Sequence, residues 1–255
     1  MGTSAPLARS QEFAGSTASG DSRGLGSMLE HGLLGPTPFG IETGVTSWFA
    51  LPDLQTRTAA LGVAARSLQV TAGVAATGER ELGWNTAAMG VGVARPTFAV
   101  AMRAAIRRDR DWWGAPPGVL GRATGAEAGA GAWLQAASMV RVWVSAPQIW
   151  TRGTAPPLAR ALESGVRVGD NALTGWLALR APTTTDDGAR VAGASLARGE
   201  LACWAEVTDG PLRASVGVRA QLVGLACGVR LDAHPVLGET TRLTLAWAPR
   251  AREHT

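Results

Sequence analysis

Residues able to carry acid–base, nucleophilic or metal chemistry are few and scattered in this chain. His31, His234 and His254 are the only histidines, and Cys203 and Cys227 the only cysteines. None of them stands at metal-ligand spacing, and no GxSxG, HExxH, P-loop or strand-bound GxGxxG occurs. A hydrolase would need a nucleophile with a base beside it, and neither can be assembled. The sequence therefore predicts no catalytic residue, no metal ligand and no cofactor; the chain is not expected to be an enzyme. His234 precedes Pro235 and reads as a turn residue; His31 and His254 fall in expected flexible ends. What does recur is charge at every second position. Arg103 and Arg107 alternate with Met102, Ala104 and Ile106. The candidate functional residues are the members of that polar face: Arg103, Arg107, Glu127, Arg141, Arg180, Glu206, Arg213, Arg219, Arg230 and Asp232. Gln69, Thr71, Asn85, Gln135 and Arg167 are read onto the same face.

The elements that carry these residues are strands. A period of two puts successive side chains on opposite faces of a sheet. Val140, Val142 and Val144 oppose Arg141 and Trp143; Leu212, Ala214, Val216 and Val218 oppose Arg213, Ser215, Gly217 and Arg219. On a helix, apolar residues at every second position would circle the axis. Strands are expected near 40–50, 55–65, 67–77, 83–94, 97–108, 124–135, 139–149, 162–169, 172–181, 189–197, 200–208, 211–219, 222–233 and 240–248. Helical signal is weak, confined to 156–164. Residues 1–38 are expected to be irregular, 39–248 to form one domain, and 249–255 to be a tail.

Charged residues make up only 17% of the 255-residue chain, against about 25% in soluble proteins. No apolar run approaches the roughly 20 residues a membrane-crossing helix needs. If the chain enters a bilayer it must do so as a closed barrel, because an open sheet leaves edge N–H and C=O groups unpaired in lipid. An isolated charge facing lipid costs roughly 2–4 kcal/mol at the midplane, so the arginine face is placed inside and the Val/Leu face outside. The expected fold class is all-β: an antiparallel up-and-down transmembrane β-barrel of about 14 strands. Loop lengths agree: connections at Arg66, Arg95-Pro96, Ala136–Ser138, Asp170-Asn171, Arg198-Gly199 and Ala220-Gln221 are tight. The alternate ones are longer, except at 209–210. Short turns on one side and long loops on the other are the habit of outer-membrane barrels. An even strand count puts both ends of the barrel domain on the short-turn side.

The stretch 228–247, GVRLDAHPVLGETTRLTLAW, resembles the last hairpin of the FadL-like outer-membrane barrels, in particular their PorV- and PorQ-type relatives. It has a strand, a His-Pro-x-Leu-Gly-x-Thr loop from His234 to Thr240, and a final strand ending at Trp247. Residues 41–63 resemble the first hairpin of that group. The resemblance implies a 14-stranded barrel in the cell outer membrane, with passage of hydrophobic or small solutes, or service to a secretion system, as the expected activity. Residues 1–39 lack the Asn-Pro-Ala motif common in the group, and eight residues follow Trp247. The family's lumen plug and fatty-acid binding are therefore not carried over.

The expected partners are outer-membrane lipid and a hydrophobic small molecule or a secretion-system protein, with no nucleic acid. Two other readings stay open: a filled-lumen barrel with a structural or assembly role, and a soluble β-sandwich binding module, which also alternates polar and apolar faces. Residues 1–20 have no apolar core of a signal peptide, so export is expected to depend on a signal outside this sequence. Trp48, Trp84, Trp143 and Trp247 fall near strand ends, as an interfacial aromatic girdle requires; Trp176 and Trp204 do not. Cys203 and Cys227 sit one strand apart, roughly 10 Å at about 4.8 Å per strand, too far for a disulfide. They are expected to be free thiols on the apolar face.

Overall fold

The computed structural model describes residues 25–33, 39–51, 54–78, 83–109, 123–154, 162–170, 172–181, 188–209, 212–236 and 238–247. A short helix, α1 (Leu25–His31), precedes fourteen strands: β1 (Phe39–Ser47), β2 (Gln55–Ala65), β3 (Leu68–Gly78), β4 (Gly83–Ala94), β5 (Phe98–Asp109), β6 (Thr124–Ala137) and β7 (Val140–Gly153). The rest are β8 (Glu163–Gly169), β9 (Leu173–Arg180), β10 (Ala189–Arg198), β11 (Leu201–Asp209), β12 (Leu212–Leu222), β13 (Leu225–His234) and β14 (Gly238–Trp247). Each strand pairs antiparallel with its chain neighbours, and the ring closes where β1 meets β14, from Ile41 opposite Trp247 to Ser47 opposite Thr241. Closure removes both sheet edges, so backbone donors and acceptors along the strands are met within the sheet.

The alternation is carried through the whole barrel. In β5, the odd residues Ala99, Ala101, Arg103, Ala105 and Arg107 are buried and the even ones exposed. Met102 is 64% and Ile106 65% exposed. An apolar belt of that extent, built from Val, Leu, Ile and Met of every strand, would be intolerable in water and suits hydrocarbon. This disposes of the sandwich: a single closed sheet encloses a charged face and turns an apolar belt outward.

Several expectations are corrected in detail. The stretch expected to be irregular contains α1, lodged against the inner faces of β1–β7. His31, expected at a flexible end, closes that helix. The tight turn placed at Ala220-Gln221 lies at Val223-Gly224, because β12 runs on to Leu222; both turn residues have positive φ. The final strand starts at Gly238 rather than Thr240. Asn85 points outward: in β4 the buried positions are even, Thr86, Ala88 and Gly90. Trp48, Trp84 and Trp143 share the inward parity of their strands and are not girdle residues; Trp48 donates from Nε1 to Thr56 Oγ1 at 2.7 Å. Trp247 does face out, joined by Trp150. Cys203 and Cys227 are free and exposed, with β12 between their strands. Residues 249–255 and most of 156–164 lie outside the described residues.

Candidate functional site

The interior of the barrel is the candidate site, and α1 is its centre. Seven residues are too few for a stable free helix, so its surroundings must hold it. The Leu25 amide, unsatisfied at the first turn, donates to Glu42 Oε2 on β1 at 2.9 Å. The other end finishes at Gly32, whose φ of 67° is the left-handed conformation of a helix C′ residue and whose N–H reaches Met28 O at 2.9 Å. The last carbonyls are met by the wall: Arg103 Nε donates to Leu29 O at 2.6 Å and Ser145 Oγ to His31 O at 2.7 Å.

Space for the helix comes from small inward residues. Leu25 and Leu29 pack with Ala60, Ala75, Ala88 and Ala105; Met28 packs with Ala99, Ala101 and Trp133. A Cβ at Gly62 would lie 2.3 Å from Leu25 Cδ2, one at Gly90 2.5 Å from Met28 Cε, and one at Gly131 2.7 Å from the Gly32 carbonyl oxygen. The barrel wall and the helix therefore touch at backbone range along β2, β4 and β6.

Arg103 is the main tether. Its side chain is fully buried and also donates from Nη1 to Pro147 O at 2.6 Å and from Nη2 to Glu127 Oε1 at 2.7 Å. Pro147 sits in β7 where the pairing with β6 shifts register between Ala128 and Ala130. Such a bulge breaks the ladder and frees a carbonyl, here used by Arg103. Gly129 opposite is crowded by Pro147, 2.3 Å from where a Cβ would stand.

The other half of the interior is aromatic. Trp143, Trp176 and Trp204 lie against glycines of the next strand, Gly165, Gly193 and Gly217, each within 2.3 Å of where a Cβ would be. With Leu33, Ala178, Val191 and Trp133 they form one cluster. Trp176 Nε1 donates to Glu206 Oε2 at 3.3 Å. The buried ring N–H groups of Trp143 and Trp204 have no acceptor among the described residues.

All ten sequence-read candidates occupy inward positions of their strands. Arg103 and Glu127 pair as described, and Glu127 Oε2 also accepts from Gln148 at 3.3 Å. Arg107 lies 2.7 Å from Asp109, with its hydrogen bond made through Nη2 to Oδ2 at 3.0 Å; the closer Nε–Oδ1 approach lacks hydrogen-bond geometry. Arg180 Nε meets Glu163 Oε2 at 2.8 Å. Arg230 joins Asp232 at 2.6 Å, Ser215 Oγ at 2.9 Å and, more loosely, Glu206 at 3.9 Å. Arg141 stacks 4.1 Å over Trp133 and donates to Gln135 at 3.2 Å; across β7–β8 it faces Arg167. Arg219 lies towards the short-turn end of β12, while Arg213 lies near His234 at the other end. Seven of the ten, Arg103, Arg107, Glu127, Arg180, Glu206, Arg230 and Asp232, thus take part in ion pairs at four separate places on the wall rather than in one centre.

Residues missed by sequence reading complete these clusters. Arg242 is buried directly opposite Arg230 across β13–β14 and donates to Thr46 Oγ1 at 2.7 Å. Two buried guanidinium groups side by side need compensating carboxylates, and Glu30 of the helix, Glu42 and Asp232 lie within Coulombic reach of Arg242. Arg242 follows Glu239, Thr240 and Thr241, a run polar at successive positions, so no alternation singled it out. Glu30 lay in the stretch read as irregular. Among the described residues no group of three His, Cys, Asp or Glu could hold a metal ion.

The ΔS2S3 mutant of TodX, a monoaromatic hydrocarbon channel, superposes on this chain with a TM-score of 0.62 and 7% sequence identity, covering 96% of this chain and 98% of its own. The fold is that of the outer-membrane β-barrels. Looser likenesses are to the Acinetobacter baumannii outer-membrane protein Omp33 (TM-score 0.49, 12% identity, 83% and 98% covered) and to a triple mutant of Rh. blastica porin (TM-score 0.43, 8% identity, 82% and 98% covered). No protein-family profile matches the chain, and no curated protein sequence does. At these identities the likeness is one of backbone alone, and the lumen residues have to be read on their own terms.

Proposed function

We propose that this chain is a non-enzymatic outer-membrane barrel that passes small apolar or aromatic solutes past an internal N-terminal helix. The observation that carries the reading is the divided interior. One half is filled by a separate element: a seven-residue helix resting on glycine and alanine and tied to the wall by polar contacts. The other half is a fixed wall of tryptophans, two with buried N–H donors that a solute could meet. Aromatic walls with a few polar groups are the usual lining of small-molecule sites. The name of TodX as a monoaromatic hydrocarbon channel is consistent with such a cargo. Strand count, overall resemblance and the lumen helix favour kinship with the FadL-like barrels over the general porins. No described residue favours a role as a secretion partner.

A second reading rests on Arg103: three short hydrogen bonds from a fully buried guanidinium would suit a permanent filling and a purely structural barrel. The two are separated by uptake of a small aromatic probe into vesicles containing the intact barrel, with ion conductance recorded in parallel in a planar bilayer. Solute passage predicts probe entry above that of protein-free vesicles, and larger conductance when Arg103 is replaced by Met. A barrel that admits no probe and stays silent with the tether cut is a filled structural barrel, and the passage reading fails.

A further inference from the structure

The outer surface carries a feature that solute passage does not use. Arg57 of β2, Ala76 of β3, Asn85 of β4 and Arg108 of β5 are direct partners in successive strand pairs, so they form one row across four strands. All four point outward. The row lies one or two residues from the strand ends on the long-loop side. One step towards the middle, the next row is apolar: Ala59 and Ala87 make a low floor, and Val74 and Ile106 rise from it. These residues line an open groove of ≈ 660 Å³ on the belt that faces lipid.

Outward arginines near this rim are not all alike. Arg190, near the same rim, has Asp209 at 3.8 Å. Arg57 and Arg108 have no carboxylate partner among the described residues. Near the interface a lipid-facing charge costs about 0–1 kcal/mol, so their position is tolerable, yet nothing in the strand requires two of them. Their Cα atoms are three strand spacings apart, roughly 14 Å at about 4.8 Å each. Long guanidinium side chains at both ends of that span can grip two separate phosphates, which Arg does through paired N–H donors.

We propose that this groove binds one lipid whose headgroup carries two well-separated phosphates, a bis-phosphorylated glycolipid of the leaflet on the long-loop side. Arg57 and Arg108 each take one phosphate, Asn85 between them meets the sugar, and an acyl chain follows Ala59, Val74, Ala87 and Ile106 down the belt. A glycerophospholipid with one phosphate can engage only one of the two arginines, and charge complementarity therefore selects the two-phosphate head. The site needs the barrel to be in a bilayer but not to conduct, so a barrel that inserts and passes no solute leaves it standing.

The test uses the intact chain in phosphatidylcholine vesicles doped with bis-phosphorylated lipid A, its mono-phosphoryl form, or phosphatidylglycerol, followed by mild extraction and native mass spectrometry of retained lipid. One bis-phosphorylated lipid per barrel is expected, held at least about tenfold better than the mono-phosphoryl form, since one charge-assisted contact is lost. The pair Arg57→Ala and Arg108→Ala abolishes that preference. So does Ala87→Trp, which fills the floor and leaves both arginines; Arg190→Ala leaves retention unchanged. Equal retention of the three lipids, or a double variant that retains lipid A as well as the parent does, overturns the proposal. Closed-barrel mobility on unheated gels confirms that each variant is folded before it is scored.

Discussion

Replacing Arg103 with Met should free the lumen helix while leaving the barrel closed. The side chain is fully buried and ends on three acceptors: the Leu29 carbonyl of α1, the Pro147 carbonyl of the bulge, and Glu127. Methionine keeps much of the volume and none of the donors. Breaking a buried pair by removing one partner costs about 3–5 kcal/mol. Glu127 is slightly exposed and keeps Gln148 as a donor at 3.3 Å, so the lower end, about 3 kcal/mol, applies. Since each 1.4 kcal/mol is about tenfold in an equilibrium constant, local opening of the helix should rise by about 10²-fold. Hydrogen exchange read by mass spectrometry on the detergent-solubilised protein measures it directly, because exchange reports local opening segment by segment. Peptides covering 25–33 should exchange about a hundredfold faster, and peptides from β9–β13, far from Arg103, at the parent rate. If 25–33 is unaffected, the helix is held by its apolar contacts and Arg103 is no tether. If the whole barrel loosens together, Arg103 holds the wall, and the division into movable filling and fixed shell is refuted.

Two further substitutions compare backbone contact with side-chain contact. Gly131→Ala would drive a methyl into the Gly32 backbone, whereas Gly62→Ala meets only the end of Leu25; the first should cost roughly 1–3 kcal/mol of helix docking and the second clearly less, read by the same exchange experiment, and equal effects would refute the packing argument. In the turn after β8, Asp170 Oδ1 accepts from the Leu173 and Ala172 amides, both at 2.8 Å. These bonds, that from Leu173 foremost, hold its carboxyl below the ordinary aspartate range. A depressed carboxyl stabilises the turn above its unfolded pKa of about 3.9 and loses that contribution as pH falls through the lower folded value. A carbonyl-carbon titration of Asp170 by NMR should place its midpoint under that reference, and a midpoint at or above it would show that the turn bonds are not formed.

The shell was legible because its physics is local and repetitive. Each strand has to show lipid one face and the lumen the other, and that demand is written at every second residue: Met102, Arg103, Ala104, Ala105, Ile106, Arg107. Asn85 shows where the rule breaks. A polar residue near a strand end can face the interface at little cost, so polarity alone no longer tells inside from outside. The girdle expectation for Trp48, Trp84 and Trp143 failed for the opposite reason. An indole is apolar enough for either face, and for Trp143 only the glycine opposite it, Gly165, makes room for an inward ring. That information sits on another strand and emerges only with the register.

The helix left a mark in the sequence, though not within its own seven residues. On β2–β6 the inward positions around the helix include Ala60 and Gly62, Ala75, Ala88 and Gly90, Ala99, Ala101 and Ala105, then Gly129 and Gly131. A fourteen-stranded barrel encloses more space than such side chains can fill, so that side holds either water or another element. On β7–β11 the same inward positions carry Trp143, Trp176 and Trp204, which fill their own share. In this barrel the space beside the small residues is taken by α1, opposite the indoles. That arrangement also says where a passage would open. Indoles that are part of the wall stay in place when the helix moves, because each is pinned over a glycine of the adjacent strand. Displacing α1 vacates the alanine–glycine side alone and leaves a slot between that side and the tryptophans. The tethers that have to be released, Glu42 on β1, Arg103 on β5 and Ser145 on β7, all stand on the half that empties or on its border.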